Sequence, residues 1–148
     1  MVLCCIYSYL YPFCIGVHWY SIKNVVVIVV FFQVILRYIH NPKPEVPAHI
    51  KLLDWVPQND ILAHPNMKLF ITHCGANSQF EALYHAVPML NFPFYADQPY
   101  NAKRADYKGY SRTLTMAGLN TSYLVENIQQ MVYNDTYSKA ISLGSRIS

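Results

Sequence analysis

The chain has 148 residues, of which 53% are hydrophobic and 13% are charged, and its formal net charge at pH 7 is +3. This length fits one domain with a substantial core, and the apolar composition excludes an intrinsically disordered chain. Because the Lys and Arg residues are scattered rather than clustered, we assign no nucleic-acid partner.

The chain begins with an apolar leader, residues 1–32, in which the first charged side chain is Lys23. The uncharged stretch is long enough for a membrane span, which needs about 20 apolar residues. Pro12 and His18 lower its hydrophobicity, however. It also has no preceding basic residue, whereas a signal peptide begins with a positively charged region. An uncleaved anchor, a degenerate signal and sequence foreign to the domain all stay open, and the last is preferred. Residues 25–32 suit a buried parallel strand as well as a membrane.

From residue 33 onward, short apolar runs alternate with amphipathic stretches. The apolar runs predict strands at residues 34–38, 50–55, 68–72, 87–92 and 111–116. The amphipathic stretches predict five helices: one capped by Asp60, one from near Asn77, one from Asp97 to Gly109, one capped by Thr121 and one over residues 136–146. In the second helix, one face carries Phe80, Leu83, Tyr84 and Val87. This alternation predicts an α/β fold with a Rossmann-like, doubly wound parallel sheet.

Three loops with chemically useful side chains follow three of the predicted strands. They run over residues 55–58, 73–78 and 94–98. In a parallel sheet, ligands bind at the carboxyl ends of the strands, so we expect the three loops to share one edge.

The middle loop has the properties of an anion site. Gly75 allows close backbone approach, and a helix that begins near Asn77 offers unpaired N–H groups and the positive end of its dipole. His73, Asn77 and Ser78 add hydrogen-bond donors, so a diphosphate fits there. The alternative is structural, because Ser78 and Glu81 match the capping-box pattern and a single histidine at a strand end is often only a structural residue.

The two outer loops suit a base and a sugar. Trp55 offers a flat apolar face on which a base can stack, and the alternative is that it fills the core. Asp97 and Gln98 place a carboxylate beside an amide, a pair that suits vicinal hydroxyls. The alternative is that they are the N-cap and first-turn residue of the next helix.

Together these loops, in this order and spacing, resemble the donor-site signature of the UDP-glycosyltransferases, in particular the UDP-glucuronosyltransferase group. The similarity covers residues 33–147, and residues 101–104 are similar to the animal members. It implies the C-terminal, donor-binding half of a two-domain glycosyltransferase of the GT-B type. The implied binding residues are Trp55 and Gln58 for the nucleoside, Glu81 for the ribose hydroxyls, His73, Gly75, Asn77 and Ser78 for the diphosphate, and Asp97 and Gln98 for the sugar.

The resemblance also implies a function for the whole enzyme: transfer of a sugar from a UDP-sugar to a small lipophilic acceptor, without a metal or other cofactor. The absence of a zinc-site spacing among the cysteines agrees with the expected absence of a metal. Residues 33–148 are expected to be the UDP-sugar-binding domain, apparently truncated, with the catalytic base in an acceptor domain outside this sequence. By resemblance the enzyme is expected at the endoplasmic reticulum membrane. Because Ser78 replaces the glycine of many animal members, sugar preference is not transferred.

Two further hypotheses stay beside the enzyme. The first is a non-catalytic UDP-sugar-binding fragment that needs a separate acceptor domain. The second is a membrane-associated structural protein, in which the three loops are only folding devices.

Overall fold

A computed structural model describes residues 2–4, 33–39 and 41–147, and strands alternate with helices from residue 50 to residue 133. The strands are β1 (Val2–Cys4), β2 (Val34–Arg37), β3 (Ile50–Leu53), β4 (Leu69–Thr72), β5 (Met89–Asn91) and β6 (Ser111–Thr113). The helices are α1 (Gln58–Leu62), α2 (Ala76–Tyr84), α3 (Gln98–Tyr107), α4 (Thr121–Tyr133) and α5 (Asp135–Ile147).

The strands form one sheet in the order β3-β2-β1-β4-β5-β6, and every neighbouring pair is parallel. The chain moves outward from β1 to β3 on one side and from β4 to β6 on the other. The boundary between β1 and β4 is therefore the topological switch point, where ligands of such sheets bind. This order confirms the predicted Rossmann-like, doubly wound parallel sheet.

The first strand was not predicted from the sequence. β1 lies in the middle of the sheet, where Val2 is in register with Val34 of β2 and with Leu69 of β4. Residues 5–32, including the possible strand at residues 25–32, lie outside the described residues. The interpretation of residues 1–32 as a leader, and the domain boundary after residue 32, therefore stay predictions.

The core has two layers, one on each face of the sheet. Successive residues of β4 alternate between them: Leu69 and Ile71 join one cluster and Phe70 joins the other. All three are buried because helices cover both faces. The buried helical residues of the two layers are Leu124 and Met131 of α4 on the first face, and Leu62 of α1, Ala82 of α2, Ala105 of α3 and Ile141 of α5 on the second.

Two of the predicted helix caps are at other residues in the structure, and a third predicted helix boundary is confirmed. Pro57 occupies the N-cap position of α1, and Asp60 lies in its first turn. Asn120 caps α4 in place of Thr121, because its Oδ1 accepts a hydrogen bond from the Tyr123 N–H at 2.9 Å. Gly109 does follow the end of α3, with the positive φ of 75° that glycine tolerates best.

The apolar face predicted for α2 is only partly buried. Phe80 and Tyr84 are exposed, and the helix buries Ala82 instead. Val87 is buried, but it lies beyond the end of the helix at Tyr84 and leads into β5. Leu83 is half-buried and packs against the core cluster that contains Ala82, so only part of the predicted face contacts the core.

Candidate functional site

The three loops predicted to share an edge follow β3, β4 and β5 and lead into α1, α2 and α3. Because the strands are parallel, all three loops lie at the carboxyl edge of the sheet. Side-chain hydrogen bonds join them in pairs, as described below.

Gln58 joins α1 to α2. Its Nε2 donates to Ser78 Oγ at 3.2 Å and to Glu81 Oε2 at 2.7 Å. Since α2 begins after Gly75, Ser78 lies inside the first turn, and the capping-box interpretation of Ser78 and Glu81 is wrong. The amide of Gln58 instead holds the Glu81 carboxylate through a charge-assisted hydrogen bond.

Trp55 lies on the surface, in the loop that leads into Gln58, with 73% of its area exposed. Its alternative interpretation as a core residue is therefore wrong. The guanidinium carbon of Arg37 lies 5.6 Å from the centroid of the ring, at cation–π distance. An exposed indole at a loop edge offers an apolar face for a flat ligand.

The start of α2 is open to an anion. The first hydrogen bond of the helix runs from the Gln79 N–H to the Gly75 carbonyl at 3.1 Å, so the N–H groups of residues 76–78 precede the intrahelical ladder. No side chain in the described part of the molecule caps them. Asn77 is exposed beside them. The helix dipole adds positive potential at this point.

At position 75 glycine is favoured because a larger residue would contact the His73 side chain, and not because the backbone conformation demands it. Its φ is −59°, which any residue adopts, but a Cβ at this position would lie 2.7 Å from Nε2 of His73. The half-buried imidazole therefore lies directly against the backbone that starts α2. Burial lowers the pKa of His73, and the nearby Asp97 carboxylate acts in the opposite direction. At neutral pH the ring is thus a neutral hydrogen-bonding group.

This pKa shift predicts an acid-dependent loss of stability. A histidine whose pKa is lower in the folded state than its ordinary value of 6.5 binds protons more readily when the chain unfolds. We expect the free energy of unfolding to fall as the pH drops below that value, and His73→Gln to make the fall shallower. Urea unfolding between about pH 7.5 and about pH 5 measures this slope.

The exposed His64 provides the matched control, His64→Gln. In His73→Gln the free energy of unfolding should still fall somewhat with pH, because burial also lowers the pKa of His49. A slope that is the same in the wild type and in His73→Gln would contradict the prediction.

The loop after β5 is held by Gln98, which is buried. Its Oε1 accepts hydrogen bonds from the backbone N–H groups of Phe94 at 2.8 Å and Tyr95 at 3.2 Å. This leaves the amino group of Gln98 as the part that can reach a ligand. Asp97 occupies the N-cap position of α3 and is exposed, so its carboxylate faces solvent at the edge of the site.

Asn101 is a site residue that the sequence did not single out. Its Nδ2 donates to the carboxylate of Asp97 and to the carbonyl of Cys74, the latter at 3.1 Å. The spacing from Asp97 is one helical turn and is readable in the sequence. The contact with Cys74 joins residues 27 positions apart, and no local pattern predicts it.

Cys74 is buried in the anion loop and contributes through its backbone. Burial, together with the charge of Asp106, raises the pKa of its thiol to about 12. The thiol therefore stays protonated and is a poor nucleophile at neutral pH. The φ of Cys74 is +70°, a left-handed conformation that is strained for a residue with a Cβ.

Among residues 2–4, 33–39 and 41–147, no three His, Cys, Asp or Glu side chains are grouped so that they could hold a metal ion. The expectation that the site works without a metal or other cofactor stays a prediction.

The sequence profile described as UDP-glucoronosyl and UDP-glucosyl transferase matches residues 30–148. The chain belongs to the UDP-glycosyltransferase family. Two animal relatives support this family membership. The UDP-glucuronosyltransferase of Pleuronectes platessa is 36% identical over 115 residues, which cover 78% of this chain and 24% of that protein. UDP-glucuronosyltransferase 3A2 of Homo sapiens is 38% identical over 109 residues, which cover 73% of this chain and 21% of that protein. The chain thus spans about a quarter of its relatives' length or less.

Solved structures place this UDP-glycosyltransferase chain in the C-terminal half of a GT-B fold, as predicted. The glycotransferase of kitacinnamycin is similar with a TM-score of 0.80 at 22% identity, over 98% of this chain and 38% of that chain. Os79 from O. sativa, solved in complex with UDP and deoxynivalenol-3-glucoside, gives a TM-score of 0.73 at 20% identity, over 98% of this chain and 36% of that chain. At these identities the likeness shows the fold.

Proposed function

We propose that residues 33–148 bind the UDP-sugar donor of a UDP-glycosyltransferase that transfers the sugar to a small lipophilic acceptor. The observation that carries the proposal is the pair of hydrogen bonds from Gln58 to Ser78 and Glu81. These bonds bring the loop of Trp55, an oriented carboxylate and the open start of α2 together in a chain of this family.

Each part of the donor matches one part of this edge. Uracil stacks on the exposed indole of Trp55, and the ribose hydroxyls donate to the Glu81 carboxylate, which Gln58 orients. The diphosphate lies at the N-terminus of α2, near Gly75 and the side chains of His73, Asn77 and Ser78. The sugar hydroxyls meet Asp97 and the amino group of Gln98.

The proposed chemical role of this domain is to stabilise the leaving group. When the bond between the sugar and the diphosphate breaks, negative charge grows on UDP. The N–H groups and dipole of α2 are already aimed at that charge, and this kind of preorganised stabilisation accelerates transfer. The acceptor hydroxyl needs a base within hydrogen-bonding reach, which we assign to the facing acceptor domain of the two-domain enzyme.

We also propose that the whole enzyme acts at the endoplasmic reticulum membrane. The support is its similarity to animal proteins named UDP-glucuronosyltransferases. Within the part of the chain that the structure covers, no helix combines the length and the hydrophobicity that crossing a bilayer requires.

Isothermal titration calorimetry with UDP tests donor binding. We expect the folded chain to bind UDP, and Glu81→Gln to weaken binding by about 10- to 100-fold, because hydrogen bonds to a charged group contribute about 1.5–3 kcal/mol. Glu126→Gln is the matched control, since Glu126 is exposed on α4 and bonds only to a surface glutamine among the described residues.

The outcomes separate the three hypotheses. Absence of UDP binding by the folded wild type would contradict the proposal and favour a structural role for the loops. Equal affinity of the wild type and Glu81→Gln would remove Glu81 from the site. A non-catalytic fragment predicts UDP affinity without sugar transfer by this chain, and transfer only when a separate acceptor domain is added.

A further inference from the structure

Asn101 links two loops that the proposed function assigns to different parts of the donor. Its Nδ2 donates to the Cys74 carbonyl at 3.1 Å in the loop after β4, and to the Asp97 carboxylate in the loop after β5. Both partners are acceptors only, so the amino group, and not the oxygen, must face them. Both hydrogens of this amino group are therefore engaged.

The bond to Cys74 fixes the direction of a second group. A trans peptide is planar, and its carbonyl and the following N–H point to opposite sides. Because Asn101 holds the carbonyl of Cys74, the N–H of Gly75 points away from α3. Gly75 is the N-cap residue of α2, so this N–H stands at the start of the candidate anion site.

The peptide between Cys74 and Gly75 needs such support. Cys74 has a φ of +70°, which costs free energy for a residue with a Cβ. On the other side of the residue, the N–H of Cys74 donates to Thr72 Oγ1 at 3.3 Å. Thr72 and Asn101 thus hold Cys74 through its two backbone polar groups, and Asn101 connects it to Asp97.

The position of Asn101 on α3 indicates that it does not anchor the helix. The helix is attached to the core by Ala102 and Ala105, which are buried, whereas Asn101 is half-buried at the first turn. Its loss should therefore disturb the loops more than the fold.

We infer that Asn101 is a positioning residue that aligns the diphosphate loop and the sugar loop as one unit. The inference rests on the proposed donor site. It requires that loss of Asn101 weakens binding of a UDP-sugar more than binding of UDP, because a UDP-sugar contacts both loops that Asn101 joins, whereas UDP contacts only the diphosphate loop.

The test compares the full chain with Asn101→Ala and with Asn101→Asp. The aspartate has the same shape, but it removes both donors and places a carboxylate against two acceptors. The matched control is Lys103→Ala, which changes an exposed side chain on the same helix. In the free proteins, ¹⁵N–¹H spectra follow the Gly75 amide, one of only five glycine signals. Calorimetry then gives the Kd for UDP and for UDP-glucose.

We expect the Gly75 amide signal to move in both Asn101 variants and to stay in place in Lys103→Ala. We expect the Kd for UDP-glucose to rise by about tenfold or more and the Kd for UDP by about threefold, as for loss of charge-assisted hydrogen bonds. An unchanged Gly75 signal, or equal losses for the two ligands, would overturn the inference.

The two proposals fail in different ways. If the wild type binds neither ligand, the proposed function fails, and the Gly75 signal of the free protein still decides whether Asn101 orients that peptide. If the wild type binds and the variants bind equally well, the donor site stands and the role of Asn101 is rejected.

Discussion

Trp55→Ala is expected to weaken UDP binding by about 10- to 100-fold, because stacking of a base on an aromatic side chain contributes about 1–3 kcal/mol. The indole is 73% exposed and lies in the loop that leads into Gln58, whose amide holds the Glu81 carboxylate. Since the ring fills no core space, the free energy of unfolding should hardly change. Calorimetry with UDP measures the affinity, and urea unfolding confirms the stability.

Two variants make this result specific to the base. Trp55→Phe keeps a smaller ring and should lose only part of the affinity. Tyr133→Ala removes another exposed aromatic ring, at the far end of α4, and should leave binding unchanged. An alanine at position 55 that binds UDP as tightly as the wild type would exclude Trp55 from the site.

Gly75→Ala is expected to reduce UDP affinity by about 10- to 100-fold, since it removes a hydrogen bond from His73 to the charged diphosphate, and such bonds contribute about 1.5–3 kcal/mol. The new Cβ would stand 2.7 Å from Nε2 of His73, so the imidazole must turn away. The ring then leaves the position from which it can reach a diphosphate. The variant should still fold, because the φ of −59° at this position suits alanine.

A double-mutant cycle identifies the cause of this loss. In His73→Ala the ring is gone, so the added methyl at position 75 has nothing to displace and should weaken UDP binding much less. Equal losses in the two backgrounds would show that the methyl group acts directly on the ligand or on the start of α2, and not through His73.

The sequence predicted most of the sheet because the signals are local. The strands β2 to β5 fall in short apolar runs, and a helix follows each of β3 to β6, so these signals are visible without knowledge of the neighbours. β1 was missed because it lies inside a long apolar run, where no change of period marks a strand. Only its pairing between β2 and β4 reveals it.

The caps and faces were less predictable for a physical reason. Asp60, Thr121 and Ser78 are all suitable capping residues, but a cap is decided by where the helix actually begins. The residue at which a helix begins, and the face that it buries, depend on how the helix packs against the sheet. In α2, for example, Ala82 is buried against the core and Phe80 is exposed.

By itself, the sequence determined the family and predicted most residues of the candidate site. The residue types of the three loops, their order and their spacing are properties of the chain, and they sufficed to predict a UDP-sugar site on a parallel sheet. The tertiary structure alone decided which atoms meet. Trp55 is exposed, the amide of Gln58 holds Glu81, and Asn101 connects Asp97 to Cys74. Gln58 and Glu81, like Asn101 and Cys74, are more than 20 residues apart, so these contacts arise only when separate strands and helices assemble.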